Sequence, residues 1–573
     1  MLSKSRLTGL LIALVLAMVA ITLRTVRVQV LAQSGDYAAQ LNVQQTRRQG
    51  LLGARGTIFD RSGNVLAVSH YAYILRVQTK EITDTLGVAN IIASIYQREP
   101  VEVVHSRIEA MVRDSQQLSP TLSSVLYFGV PPTTTNQIVH TLGERGLAGL
   151  NTDDYWARTY PQGKLAGNVL GFVNLQPKGY SGVEGYYNQS LDAEPGKVTA
   201  LGRMNLTGIT LTLAGADLVL TLDMSLQRYV EDRLAQAMQE YGPKGGSIIV
   251  MDTKTGAILA LASSPGYDPN RALEVANQPG AKLFDPAVTS LYEPGSVIKV
   301  LTVAGALDRG VITPSTLFQD EVKLNVGGTS IYNSDRAGHG VVNLEEMLRL
   351  SLNVVAAKIA KQMGPEMFYG TFRKFGMGAK TGVDLAGEQD GNLRTPSSVK
   401  WSKSDLATNS YGQGMTATPL QVLAAVNAIA NDGVLVQPYM VQQWRHTNNG
   451  QTAITNRQIV RVQQVISPET AKTLRELMRK ATFRATKKAL LDGYSVAGKT
   501  GTADWTDETG KFQDTTFVTY VGMVPAEQPR ITILVKFDQP KTSRWAADTT
   551  VPVFHDVAER AVQDLGIAPS EEP

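Results

Sequence analysis

Residues 7–23 form an almost unbroken apolar run, LTGLLIALVLAMVAITL, and no later segment of that length is apolar throughout. A helix over this run reaches, at the short end, the length needed to cross a hydrocarbon layer, and Val26, Val28, Val30 and Leu31 can extend it. A signal peptide begins the same way, with Lys4 and Arg6 ahead of an apolar stretch. Arg24 and Arg27, however, stand where a small-residue cleavage site is needed, so the run predicts an uncleaved, single-pass transmembrane anchor within residues 1–33. Everything after it then lies on one side of the membrane. Basic residues at both ends orient the helix only weakly, and an N-terminus-in topology puts the remainder outside the cytoplasmic membrane.

At 573 residues the chain exceeds what one core organises, and 43% hydrophobic with 18% charged residues is a globular composition. Lys+Arg 55 against Asp+Glu 51 leaves a formal charge of +4, too slight a bias for nucleic-acid binding. The absence of cysteine excludes disulfides, thiolate metal sites and Cys nucleophiles. The six histidines are scattered without ligand spacing, so no metal is expected.

Residues 34–215 read as a pedestal. Residues 47–67 carry Gly-punctuated strand and turn character, residues 69–77 alternate as a strand, and residues 82–150 show helical periodicity interrupted by Pro131 and Pro132. Residues 158–161 and 181–196 return to loop and strand character. Near Leu213 the composition changes: residues 218–222 read as a strand, and Asp223 caps a helix. The domain that follows, residues 216–565, opens with a hairpin (247–252 and 257–262) and closes with strands at 517–523 and 531–537 and a helix at 551–565. Strands at both ends with helices between them predict an α+β layered fold. Residues 566–573 read as a disordered tail.

The chemistry is concentrated in short motifs. Ser296-Val-Ile-Lys299 follows Glu293-Pro-Gly and precedes an apolar run, which marks a helix start with the hydroxyl and the amine on one face. A serine hydroxyl is inert at its own pKa, and a lysine whose pKa burial has lowered can take its proton. Taken alone the pattern is weak, and a second match stands at Ser397 and Lys400. Two further motifs lie downstream in order: Ser351-Leu-Asn353 within a stretch of helical periodicity, and Lys499-Thr-Gly-Thr502 in a strand that the two final strands can flank. Lys-Thr-Gly also occurs at Lys254, in the hairpin turn, and at Lys380, in a Gly-rich loop, while Ser62-Gly-Asn64 repeats Ser-x-Asn far upstream. Only Ser296, Ser351 and Lys499 combine order with context.

This ordered set resembles the active site of the penicillin-binding proteins and serine β-lactamases. Outside the motifs, the chain from Arg47 to about Leu565 is similar to the class B penicillin-binding proteins, in ARGTIFDRSGNVLA from Ala54, YSGVEGYY from Tyr180, TLDMSLQ from Thr221, YGQG from Tyr411 and TPLQ from Thr418. The resemblance implies an antiparallel sheet with helices as the transpeptidase domain, and a serine-type D-Ala-D-Ala transpeptidase that cross-links peptidoglycan stem peptides through an acyl-enzyme. It assigns catalysis to Ser296, Lys299, Ser351 and Lys499, and substrate binding to Asn353, Thr500, Gly501 and Thr502. The backbone N–H groups of Ser296 and Thr502 are expected to form the oxyanion hole. No metal or cofactor is implied. β-Lactams and a polytopic membrane glycosyltransferase are the further partners. The alternatives are a β-lactamase, a scaffold activating such a glycosyltransferase, or a β-lactam receptor.

Overall fold

The computed structural model describes residues 54–118, 123–174, 178–193, 214–448, 451–506 and 512–570, together with Met18. The expected anchor, Met18 apart, and residues 47–53 lie outside the described residues. Among those described, no helix is long and apolar enough to cross a membrane.

Two compact units are present. In the first, which contains Ser69–Ala157, the long strand Val65–Gln78 pairs antiparallel with Ser123–Val130 and also pairs with Leu150–Thr159. Leu75 and Val77 meet Ile91, Ile92, Val104, Ile108 and Ile138 from the helices Thr85–Tyr96, Val101–Leu118 and Pro132–Glu144 in one core. The helical stretch, expected to be interrupted at Pro131 and Pro132, also carries the strand Ser123–Val130, and Pro132 opens a helix, where its missing N–H has no cost.

The second unit gathers Gly56–Val68, Arg158–Asp192 and everything from Ala216. Its chain is interleaved, because strand pairing and burial tie the earlier segments to this unit. Ile58–Phe59 runs parallel to Asp217–Leu220, and Ile58, Leu66, Val183 and Leu191 share one core cluster with Val297 and Leu301. Arg158 reaches the fully buried Glu184 at 2.6 Å and donates to the Gly56 carbonyl at 2.8 Å. Residues 181–196, expected as loop and strand, include the short helices Gly182–Tyr186 and Asn188–Leu191.

The centre of this unit is a five-stranded antiparallel sheet of β1 (Gly245–Asp252), β2 (Ile258–Ser264), β3 (Ala497–Thr506), β4 (Phe512–Val524) and β5 (Ile531–Asp538), in the order β3-β4-β5-β1-β2. Alternate side chains leave opposite faces. Ile248 and Val250 join a cluster with Leu226 and Val230 of α1 (Met224–Tyr241) and with Phe554 of the terminal helix, while Ile249 and Met251 join the cluster on the other face. That second face is covered by α2 (Lys299–Asp308), α3 (Leu344–Leu350), α4 (Asn353–Lys374, broken at Gly364), α5 (Pro419–Ala430) and α6 (Pro468–Ala485), and the terminal helix is α7 (Thr550–Asp564). With helices on both faces, the strands read as apolar runs despite their antiparallel pairing. Asp223 caps α1 as expected, accepting from the N–H groups of Ser225 and Leu226.

Two expectations need correction. Lys499 lies on β3 at the sheet edge, so β4 borders it on one side only. Residues 566–570 are held rather than loose, because Ile567 is buried, the Tyr494 hydroxyl donates to its carbonyl at 2.7 Å, and Ser570 N–H donates to the Gly493 carbonyl at 2.9 Å. Residues 571–573 lie outside the described set.

Candidate active site

Ser296 stands on a short 3₁₀ turn, Gly295–Ile298, that leads into α2. With about three residues per turn, positions i and i+3 are eclipsed, and Lys299 Nζ donates to Ser296 Oγ at 2.8 Å. Gly295 makes this turn possible. Its φ is +63°, and a Cβ there would lie 2.7 Å from the Thr502 carbonyl of β3.

The Ser-x-Asn motif does not sit inside one helix. α3 ends at Ser351, whose φ of 57° and ψ of 47° are left-handed, and α4 begins at Asn353. A non-glycine residue in that region carries strain. The break turns both the carbonyl and the hydroxyl of Ser351 toward Lys299, with Nζ 3.1 Å from Oγ. From the opposite side Lys499 Nζ donates to the same hydroxyl at 3.0 Å. One serine therefore bridges two lysines.

Both lysines are buried, at 0% and 5% exposure. Burial pushes the Lys499 amine down to about 7. Lys299 falls well below its usual value, chiefly through burial and further through the nearby charge of Lys499. Burial thus favours the neutral amine of Lys299, which is in contact with the Ser296 hydroxyl.

Above these groups opens a cleft of about 950 Å³, surfaced by Ser296, Ser351, Asn353, Thr500 and Thr502 among others. Lys299 and Lys499 lie beneath it. Gly501 packs inward, where a Cβ would stand 2.6 Å from the Pro294 carbonyl, so its contribution is close approach of β3 to the Ser296 turn. The Asn353 side chain donates through Nδ2 to the Tyr332 carbonyl at 2.8 Å, which leaves a second N–H and Oδ1 for an incoming group.

The cleft also contains residues the motifs do not announce. Tyr332 and Arg336 form one rim, with the guanidinium over the ring, and Arg544, paired with Asp504 at 2.8 Å, and Trp545 form another. No periodicity or short spacing marks them in the sequence. Tyr411, read there only within YGQG, places its ring 6.0 Å from Lys299 Nζ. The decoy motifs lie elsewhere: Lys254 pairs with Asp432 at 2.7 Å, Lys380 with Asp390 at 3.8 Å, and Ser397 meets Thr395 at 2.9 Å.

Residues 246–559 match the penicillin-binding protein transpeptidase domain, and residues 51–219 match the penicillin-binding protein dimerisation domain. The chain belongs to the penicillin-binding protein family. The pairing of these two domains is the class B arrangement expected from the sequence. Similar members of the family include penicillin-binding protein PbpB of Mycolicibacterium smegmatis, 31% identical over 439 residues, covering 73% of this chain and 66% of that protein. Peptidoglycan D,D-transpeptidase FtsI of Escherichia coli is 27% identical over 566 residues, covering 96% and 89%. Among solved structures, penicillin-binding protein 3 of Mycobacterium tuberculosis in complex with aztreonam has a TM-score of 0.69 at 27% identity, covering 91% of this chain and 98% of that one.

Proposed function

We propose that this penicillin-binding protein is a peptidoglycan D,D-transpeptidase in which Ser296 is the nucleophile and Lys299 its base. The observation that carries the assignment is the Ser296, Lys299, Ser351 and Lys499 hydrogen-bond chain, with a fully buried lysine amine on the nucleophile. Ser296 Oγ attacks the carbonyl carbon of the D-Ala-D-Ala peptide bond while Lys299 takes its proton. Negative charge develops on the carbonyl oxygen, toward the N–H groups of Ser296 and Thr502. The Thr502 backbone suits this role, since its carbonyl lies against Gly295 and the N–H of a strand residue points to the same side as its carbonyl. Collapse breaks the peptide bond, and the departing D-alanine amine receives a proton relayed through Ser351. A second stem peptide's amine then attacks the ester, the new peptide bond forms, and Ser296 Oγ is reprotonated. Asn353 orients the donor's amide, while Thr500, Thr502 and the charge of Lys499 hold its terminal carboxylate.

Residues 7–23 anchor the chain in the cytoplasmic membrane as a single helix, the catalytic unit lies outside, and a polytopic glycosyltransferase supplies nascent glycan. The apolar run and its arginine flanks support this. The assignment is tested by intact mass after incubation with benzylpenicillin. One adduct is expected, on the peptide containing Ser296, and it disappears in Ser296→Ala. An adduct on Ser351 or Ser397 overturns the assignment.

A further inference from the structure

Helix α4, which presents Asn353, begins without a cap of its own, because Leu352 at its N-cap offers no side-chain acceptor. The need is met from a distant segment. Asn333 Oδ1 accepts from the N–H of Asn353 at 2.8 Å and from that of Val354 at 3.2 Å, taking two of the donors that a helix start leaves unpaired. Its neighbour Tyr332 offers the carbonyl that binds Asn353 Nδ2. Two adjacent residues thus grip Asn353 by main chain and side chain together, and the grip fixes how its amide is held at the cleft.

Asn333 is itself fixed. It is 3% exposed, and its Nδ2 donates to Asp320 Oδ2 at 2.8 Å and to the Ala337 carbonyl at 3.0 Å. Asp320 is 1% exposed, and the same oxygen also accepts from His339 N–H at 3.0 Å. With Nδ2 committed to a carboxylate and a carbonyl, which cannot donate to Oδ1, Asn333 has one available orientation, with Oδ1 on the helix.

We propose that Asn333, oriented by Asp320, is a positioning residue that holds the Asn353 side-chain amide toward the amide of the substrate. The proposal rests on the role given above to Asn353. Misplacement of an orienting group by about 1 Å can cost of order 10²-fold in rate, and deleting the Asn333 side chain releases Asn353 from one of its two fixings. The loss falls on ligands that use Asn353.

The test compares two ligands on the full-length protein in detergent: benzylpenicillin, which carries an acylamino group, and a carbapenem, which has a hydroxyethyl group in its place. Asn333→Ala is expected to slow acylation by benzylpenicillin about tenfold and by the carbapenem less than about threefold, so the selectivity ratio falls. The exchanged pair Asp320→Asn with Asn333→Asp keeps an acceptor on the helix and a hydrogen bond between the two positions, and is expected to recover the ratio. Simple destabilisation slows both ligands equally, and that result overturns the proposal. So does an unchanged ratio in Asn333→Ala where Asn353→Ala lowers it. If Asn353→Ala leaves the ratio unmoved, the assignment of Asn353 fails first and the proposal falls with it. Should Asn333→Ala not fold, Asn333→Asp alone, which keeps the helix acceptor and loses the donor to Asp320, reads the same ratio with the same expected fall.

Discussion

The tripeptide Lys-Thr-Gly occurs on two parts of the same sheet and does different things. At residues 254–256 it makes the turn between β1 and β2, and Lys254 and its partner Asp432 are each about half exposed, at 48% and 47%. At residues 499–501 it lies on the edge strand β3, where Lys499 is 5% exposed and its amine is pushed down to about 7 by burial. The glycines diverge as well. Gly256 is required by a φ of +81°, whereas Gly501 is required because Pro294 is too close for a side chain. What separates a reactive lysine from a solvated one is the removal of water.

The largest contrast is expected from the lysines. Lys499→Ala should lower acylation by benzylpenicillin by about 10²-fold or more, since it removes both a relay group and preorganised charge, while Lys254→Ala should leave the rate within about twofold. A comparable loss in both variants, read by stopped-flow acylation, would break the distinction. Next come the glycines: Gly501→Ala should lower acylation at least about tenfold by forcing β3 away from the Ser296 turn. Gly256→Ala should instead cost about 1–3 kcal/mol of stability, seen in denaturant titration, with the rate of the folded fraction unchanged.

The pH dependence is smaller and carries a sign. Lys499 binds a carboxylate only when protonated, so acylation of the free enzyme should fall as pH rises through about 7. Lys299 acts only when neutral, and its lowered pKa sets an acid limb on which the rate falls as pH drops. The bell belongs to the coupled pair. Lys254→Ala should leave both limbs in place, and Lys499→Ala should abolish the alkaline one. Smallest of all is the stability change in Lys254→Ala, about 0–1 kcal/mol for a solvated ion pair.

How much of this was legible beforehand depended on whether the information was local. The order Ser296, Ser351, Lys499 was readable because each motif is contiguous, and the hairpin, the Asp223 cap and the final strands were readable because they follow local turn and capping chemistry and continuous apolar runs. The strand Leu150–Thr159 was not, since NTDDYWART is mostly polar and lacks the alternation of a half-buried strand. The break at Ser351 was hidden because a serine holds a left-handed conformation more often adopted by glycine. Asn333 and Asp320 were invisible because their meaning lies in partners on other segments, which no spacing encodes.

The return of residues 56–68 and 158–192 to the C-terminal unit sets a schedule for making the protein. Thr57 N–H binds the Asp217 carboxylate across a separation of 160 residues. At roughly 5–20 residues per second, Thr57 waits on the order of ten to thirty seconds for Asp217 to be synthesised. Ile58 and Leu66 emerge as apolar segments with no sheet to receive them, and β3, β4 and β5 are among the last parts to appear. Truncation before residue 217 therefore leaves early segments stranded as well as late ones missing, and a fragment started at residue 218 discards the other half of the Ile58 to Leu218 pairing.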